Sequence, residues 1–278
     1  MPKLHGVSVP AFCYGTAWKE ERSERLTRLA IDQGFRAIDT ANQRKHYDEV
    51  GVGNGIASAL RDGVVKRHEL FLQTKFTYAR GQDHRLPYDP EATLTAQVEQ
   101  SFASSLAHLH TDHLDAYILH GPASSHGLAD ADIEVWRAME ALHRTGKIKL
   151  LGVSNVTIEQ LQQLRSLARV PIAFVQNRCY ARDGWDAEVR AFCREHGAVY
   201  QGFSLLTANK SELQRPLIDE IAMRLGCTRE QVVFRFAIQI GMLPLTGTSS
   251  AAHMAEDLAA EHLVLTGADL LAIETIAQ

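Results

Sequence analysis

Three ionisable side chains fall where short apolar runs stop. "AID" ends on Asp39, "LFLQTK" on Lys75 and "YILH" on His120, and a phenol, Tyr47, follows Asp39 in the loop "TANQRKHY". Singly, each has a structural use: an Asp after a strand caps a helix or makes an Asx turn, a Lys reaches solvent, and a lone His satisfies a core hydrogen bond. Facing one pocket, they do more. Asp39 and Lys75 offset each other's burial, which either alone would make costly. An ammonium ~4 Å from a phenol, at an effective dielectric of ~20, is worth about 4 kcal/mol, or about three pKa units below a reference near 10. Asp39 cancels part of that. A tyrosine tuned in this way is a general acid, and His120 can donate a hydrogen bond to a carbonyl oxygen beside it. The expected chemistry is protonation of an oxygen on which negative charge develops. A Schiff-base aldolase or isomerase using Lys75 is the competing use, disfavoured because an Asp-paired lysine stays protonated and is a poor nucleophile.

Two other clusters read as structural or remain open. His108, His110, Asp112 and His113 in "HLHTDHLD" match neither a helix face nor a zinc spacing, so a solvated helix end is expected and no metal. Arg44, Lys45 and His46 are either an anion-binding group or a solvated loop.

The elements that must position these residues alternate. Apolar runs at Phe12–Gly15, Arg36–Asp39, Leu70–Thr74, Leu114–Leu119, Lys149–Val153, Ala173–Gln176, Val199–Phe203 and Leu243–Thr246 predict strands. Between them lie helix-period stretches, such as Leu94, Val98, Phe102, Leu106 and Leu109, or Ile218, Ile221, Ala222 and Leu225. Pro90 is expected to open one helix, and Gly34, Gly146 and Gly226 to end others. Strict alternation implies a parallel sheet, and eight such units in roughly 250 residues is the size of a closed (β/α)8 TIM barrel. A single domain over 1–278 is the simplest reading. A doubly wound sheet is the alternative, but the first turn, "GTAWKEERSE", has one glycine. "GVGNGI" carries Ile56 where a dinucleotide fingerprint needs its last glycine, and it sits at a helix start. In a barrel of this type chemistry sits at the C-terminal strand ends, which is where Asp39, Lys75 and His120 fall.

Charge narrows the partners. The formal net charge is −4 with both signs dispersed, which leaves no footprint for nucleic acid or an anionic membrane. The segment "MPKLHGVSVPAFCYG" has no long apolar core, so neither a signal peptide nor a span is expected. Cys13, Cys179, Cys193 and Cys227 form no C-x-x-C pair and read as reduced thiols of a cytoplasmic protein.

With these residues in place, the chain resembles the aldo-keto reductases over nearly its whole length. Beyond the four catalytic positions, the resemblance rests on "YGTAW", "GFRAIDTA", "TGKIKLLGVSN", the "QN" at 176–177, "GFSLLT" and "PLTGTSSAAHMAEDL". It implies an NAD(P)H-dependent oxidoreductase that reduces aldehyde or ketone carbonyls, with NADP(H) ahead of NAD(H). Tyr47 would be the proton donor, Lys75 would lower its pKa, Asp39 would hold Lys75, and His120 would orient the carbonyl. The nicotinamide would pack on Phe203, its amide bound by Ser154, Asn155 and Gln176. Gly15 and Thr16 would approach the cofactor, and Ser204, Leu205 and Leu206 would line the pyrophosphate. Thr248, Ser249, His253 and Asp257 would meet the adenosine end, and Trp18, Tyr78 and Tyr180 the substrate. The implied partner is a small carbonyl or alcohol, in a monomeric enzyme. A cofactor-binding relative without catalysis is the alternative the resemblance leaves.

The chain departs from the family pattern in four ways. Members usually carry the tyrosine five residues after the aspartate, where this chain has Arg44; Tyr47 lies eight after. "NQRKHY" is read as a lengthened loop that still delivers a tyrosine, with His46 as the alternative. Phe203 replaces a frequent tyrosine, at little cost because stacking needs only the ring. Gly247 and His253 stand where Lys and Arg commonly meet a 2′-phosphate. Thr77 and Gly121 occupy flanking positions that are often tryptophan, so a roomier, less aromatic pocket is expected.

Overall fold

A computed structural model describes residues 3–278. Short strands β1 (Lys3–Leu4) and β2 (Val7–Ser8) form an antiparallel hairpin. Eight parallel strands then close into a barrel: β3 (Cys13–Gly15), β4 (Ala37–Asp39), β5 (Phe71–Phe76), β6 (Leu114–Leu119), β7 (Ile148–Ser154), β8 (Ile172–Arg178), β9 (Val199–Phe203) and β10 (Leu243–Thr246), with β10 pairing β3. This is the expected (β/α)8 barrel, and its strands fall on the eight apolar runs with ends shifted by two residues at most. The hairpin was not expected; two residues per strand are too few for an apolar pattern. Its Leu4 and Val7 pack on the apolar cluster inside the barrel.

The period-two alternation of a strand decides what the interior contains. Along β5, Phe71 joins the inner cluster, Leu72 and Phe76 join the outer one, and Gln73 and Lys75 share the inward face with Phe71. Asp39 follows Ala37 inward on β4, Gln176 follows Phe174 on β8, and Gln201 follows Val199 on β9. The apolar layer thus gives way to a polar layer one step towards the C-terminal ends. Gly152 on β7 keeps that interior open: a Cβ there would lie 2.8 Å from Phe174 O and 2.5 Å from Ile118 Cδ1.

Helices surround the sheet. α1 (Ser23–Asp32) and α2 (Glu49–Arg61) pack together, and α2 meets α3 (Leu94–His108). Then follow α4 (Asp130–Arg144), α5 (Ile158–Leu167), α6 (Ala187–His196), α7 (Lys210–Leu213), α8 (Pro216–Leu225), α9 (Arg229–Gln239), α10 (Ala251–Ala259) and α11 (Gly267–Glu274). Pro90 does not open α3; that helix starts later, on the Thr93 cap, whose hydroxyl accepts from Ala96 N. Gly34, Gly146 and Gly226 lie past helix ends with positive φ, as expected. The glycines of "GVGNGI" serve helix packing: a Cβ on Gly53 would sit 1.9 Å from His108 O, and one on Gly55 2.6 Å from Glu24 O. No described helix is long and apolar enough to cross a membrane.

Candidate active site

Asp39 and Lys75 project inward from the ends of neighbouring strands and meet. Lys75 Nζ donates to Asp39 Oδ1 at 2.6 Å and Oδ2 at 2.7 Å, and to Thr40 O at 2.8 Å. Both side chains are almost wholly buried. Burial pulls the Lys75 pKa down, yet Asp39, with Tyr47 and Cys13, more than reverses this and the ammonium is held above its ordinary value.

The loop after β4 turns back on itself. His46 N and Tyr47 N both donate to Gln43 O, at 3.1 and 3.0 Å. That turn swings Arg44 outward, where its guanidinium bonds Asp48 Oδ1 at 2.5 Å, and brings Tyr47 inward. Lys75 Nζ lies 5.3 Å from the Tyr47 ring centroid, and the His120 ring meets Tyr47 edge-to-face at 5.9 Å. A turn within the lengthened loop brings the tyrosine inward. One expectation is corrected: the Tyr47 pKa is raised, not lowered. Burial pushes it up, Lys75 opposes, and Asp39 adds to the rise. The ammonium is spent on Asp39 and Thr40 O, so its pull on the phenol is weaker than at direct contact.

Burial and the Lys75 charge press the His120 pKa down to about 3, so its imidazole is neutral. Thr77 Oγ1 lies 2.7 Å from Nδ1, and Asn155 Nδ2 donates to the His120 carbonyl at 2.8 Å.

Polar partners missed in the sequence brace this group. Gln73 Nε2 donates to Asp39 Oδ1 at 2.6 Å and to Gln201 Oε1 at 2.9 Å, and Gln201 Nε2 returns to Gln73 Oε1. Gln176 Nε2 donates to Asp39 Oδ1 at 3.1 Å and Gln201 Oε1 at 2.8 Å. Every amide orientation is fixed, because each nitrogen faces an atom that only accepts. Gln176 Oε1 is left free to accept. The signal was present: a glutamine inside an otherwise apolar strand, in "LFLQTK" and "AVYQGFS", must find partners.

A cavity of about 1040 Å³ runs from Tyr47 and His120 to α10. Gly15, Ser154, Asn155, Gln176 and Phe203 line its inner half, followed by Ser204, Leu205 and Leu206. Thr248, His253 and Asp257 line its far end, together with Glu230 and Glu256. Two expected residues stand back from it: Thr16 is buried with its hydroxyl on Asp39 O, and Ser249 does not line the space. Lys19, unnoticed in the sequence, does line it. It is 7% exposed, its ammonium donates to Gly247 O, and it has no carboxylate partner among the described residues. Burial, then Arg22, lowers its pKa. A second cavity of about 310 Å³ shares Trp18, Tyr47, His120 and Asn155 with the first and adds Thr77, Tyr78 and Gly121. Tyr78 lines it, but its hydroxyl is committed to Asp132 Oδ1 at 2.8 Å. Tyr180 lies in neither cavity; it stacks under the Arg182 guanidinium. Of Arg44, Lys45 and His46, only His46 reaches the space. Non-glycine residues with positive φ gather here, Trp18 at 61°, Asn155 at 52° and Ser204 at 58°, as strained positions do at functional sites.

The histidines of "HLHTDHLD" serve separate partners, Glu49 for His108, Asn54 for His110 and Asp112 for His113. Among the described residues no cluster of His, Cys, Asp or Glu is arranged to hold a metal ion.

Comparison with known proteins identifies the family. The Aldo/keto reductase family model matches residues 12–278. An uncharacterized oxidoreductase, YtbE, of Bacillus subtilis (strain 168) is 30% identical over 276 residues, covering 98% of this chain and 91% of that protein. Glyoxal reductase of the same organism is 29% identical, with 98% and 87% covered. A solved aldo-keto reductase complexed with NADPH superposes with a TM-score of 0.83 at 25% identity, over 98% of this chain and 85% of that one. The chain belongs to the aldo/keto reductase family of oxidoreductases.

Proposed function

We propose that this protein reduces aldehyde or ketone carbonyls to alcohols with a nicotinamide cofactor, Tyr47 acting as proton donor. The observation that carries the reading is the Lys75 ammonium, locked on Asp39 and 5.3 Å from the Tyr47 ring, at the mouth of a dinucleotide-sized cavity.

The cavity's residues suit such a cofactor. Phe203 offers a stacking face, Gln176 Oε1 an unused acceptor for a carboxamide NH2, and Lys19 a buried cation without a carboxylate, suited to pyrophosphate. Ser204, Leu205 and Leu206 line the stretch between. Ser154 and Asn155 act less directly: Ser154 Oγ donates to Gln176 O at 2.6 Å, and Asn155 Nδ2 holds the His120 loop. Bound NAD(P)H supplies the hydride. His120 holds the substrate carbonyl by a hydrogen bond. Tyr47 gives its hydroxyl proton to the carbonyl oxygen as charge builds there and regains one from solvent. Its raised pKa keeps the donor protonated at neutral pH, and Lys75 lowers the barrier by stabilising the phenolate that forms.

The NADPH-bound relative supports NADP(H) as the first reading. The adenosine end supports NAD(H) as a second reading, because Glu230, Glu256 and Asp257 line the cavity together with Gly247 and His253, which stand where family members commonly carry two cations. Carboxylates suit a ribose 2′-hydroxyl better than a 2′-phosphate.

The test is Tyr47→Phe, assayed by nicotinamide absorbance on simple aldehydes with both cofactors. Turnover is expected to fall about 10²–10⁴-fold, while cofactor affinity by fluorescence quenching stays within about twofold of wild type, since only one hydroxyl is removed. Undiminished turnover would remove Tyr47 from the mechanism. Cofactor binding without turnover in wild type would favour a non-catalytic relative, and borohydride trapping of substrate on Lys75 an aldolase.

A further inference from the structure

The smaller cavity beside Tyr47 has a polarity that its own hydrogen bonds dictate. Gln43 is buried, and its Nε2 donates to Gly81 O at 2.6 Å, an atom that only accepts. The amide orientation is therefore fixed, and Oε1 faces His46 Nδ1 at 2.9 Å. An acceptor at that distance requires the imidazole to carry its proton on Nδ1. Neutral His46 then presents Nε2 as a bare lone pair, for which the protein supplies no partner among the described residues. Burial and Lys45 keep His46 neutral at pH 7 by lowering its pKa, against a smaller pull from Asp83. The ring is held in place: it stacks on Trp18 at 4.1 Å, and its carbonyl accepts from Trp18 N at 2.8 Å. Gly81 is needed for the arrangement, because a Cβ there would come within 2.8 Å of Thr77 Cγ2.

His120, lining the same cavity, has the opposite polarity. With its Nδ1 accepting from the Thr77 hydroxyl at 2.7 Å, the one hydrogen bond that hydroxyl makes among the described residues, Nε2 carries the proton and donates. One imidazole offers a donor to a carbonyl oxygen and the other an acceptor nearby. Of the two arginines near this cavity, Arg44 is turned to Asp48, while Arg80 lines the space and donates to Pro122 O and Ala123 O, neutral carbonyls that leave its charge uncompensated.

We propose that His46 is a specificity-determining residue that accepts, through Nε2, a hydrogen bond from a substrate hydroxyl, so that the cavity selects hydroxy-aldehydes and hydroxy-ketones over carbonyl compounds lacking the hydroxyl. The inference rests on the carbonyl-reductase reading and adds the substrate class.

The test compares kcat/KM for glyceraldehyde and for propionaldehyde, of matched chain length, in wild type, His46→Phe and His46→Gln. Aldehyde hydration cancels when the ratio of one protein is divided by that of another. Wild type is expected to favour glyceraldehyde, His46→Phe to lose about tenfold of that preference, the worth of one hydrogen bond, and His46→Gln, which keeps an acceptor, to lose less. Should His46→Phe fail to fold, Gln43→Met removes the atom that fixes the tautomer and is expected to lower the ratio likewise. An unchanged ratio in the folded variants overturns the proposal and leaves the reductase reading intact, as does a wild-type preference for a carboxylate-bearing aldehyde such as succinic semialdehyde. No turnover of any aldehyde with either cofactor overturns both.

Discussion

Asp39 Oδ1 accepts from Lys75 at 2.6 Å, from Gln73 at 2.6 Å and from Gln176 at 3.1 Å, while Oδ2 accepts from Lys75 at 2.7 Å. Those donors compensate the carboxylate for its burial, and it helps to keep Lys75 charged in turn. Removing one member leaves the other buried and uncompensated. Lys75→Met is expected to destabilise the fold by about 3–5 kcal/mol, and Asp39→Asn/Lys75→Met to recover most of that loss. Urea unfolding of the two variants measures it, and neither regains turnover. Equal stability of the single and double variants would mean that solvent or another cation neutralises Asp39. Asp39, Lys75 and His120 were legible in the sequence because each is an ionisable residue closing an apolar strand. Gln73 and Gln201 beside them were passed over although they obey the same rule, since an uncharged side chain signals burial less loudly than a charge.

At the scale of elements, backbone approach matters more than side-chain chemistry. The glycines of "GVGNGI" look like a phosphate loop but are spacers. Gly53 lets α2 lie against the end of α3, where an added Cβ would stand 1.9 Å from His108 O and 2.8 Å from Leu109 Cα. Gly53→Ala must push the helices apart, so a loss of about 2 kcal/mol or more is expected in urea unfolding. Gly267→Ala, at the open first position of α11 with nothing within 4 Å, is the control, expected to lie within about 0.5 kcal/mol of wild type or to stabilise. Helix ends were read correctly where glycine adopts positive φ. Pro90 misled because proline marks a break as readily as a start, and the Thr93 cap decides where α3 begins.

Across the whole molecule, the long cavity runs from β4 past the ends of β7, β8 and β9 to α10, and its far end sets a pH response. Burial raises the Asp257 pKa from 3.8 to about 6, partly countered by the Thr246 hydroxyl, which donates to Oδ2 at 2.7 Å. Between those values the folded state binds more protons than the unfolded one, so stability falls as pH rises through that window. Asp257→Asn keeps an acceptor for Thr246 and removes the charge. Its unfolding midpoint is expected to vary less between pH 4 and pH 7 than that of wild type and to exceed it at pH 7, by about 3 kcal/mol at most. A variant with the wild-type pH dependence would place the titration elsewhere.

The sequence by itself determined the barrel, because strand and helix periods alternate along the chain. It also determined three of the four side chains at the mouth, because charge closing an apolar strand has few other places to go. Only the tertiary structure separated Tyr47 from His46. Both lie in one polar loop with no periodicity, and a turn around Gln43 O sets the phenol beside Lys75 and the imidazole against Trp18. The direction of the Tyr47 shift was likewise a matter of three dimensions. Composition gives the sign of a neighbouring charge, while burial and the competing claims on the Lys75 ammonium give the balance.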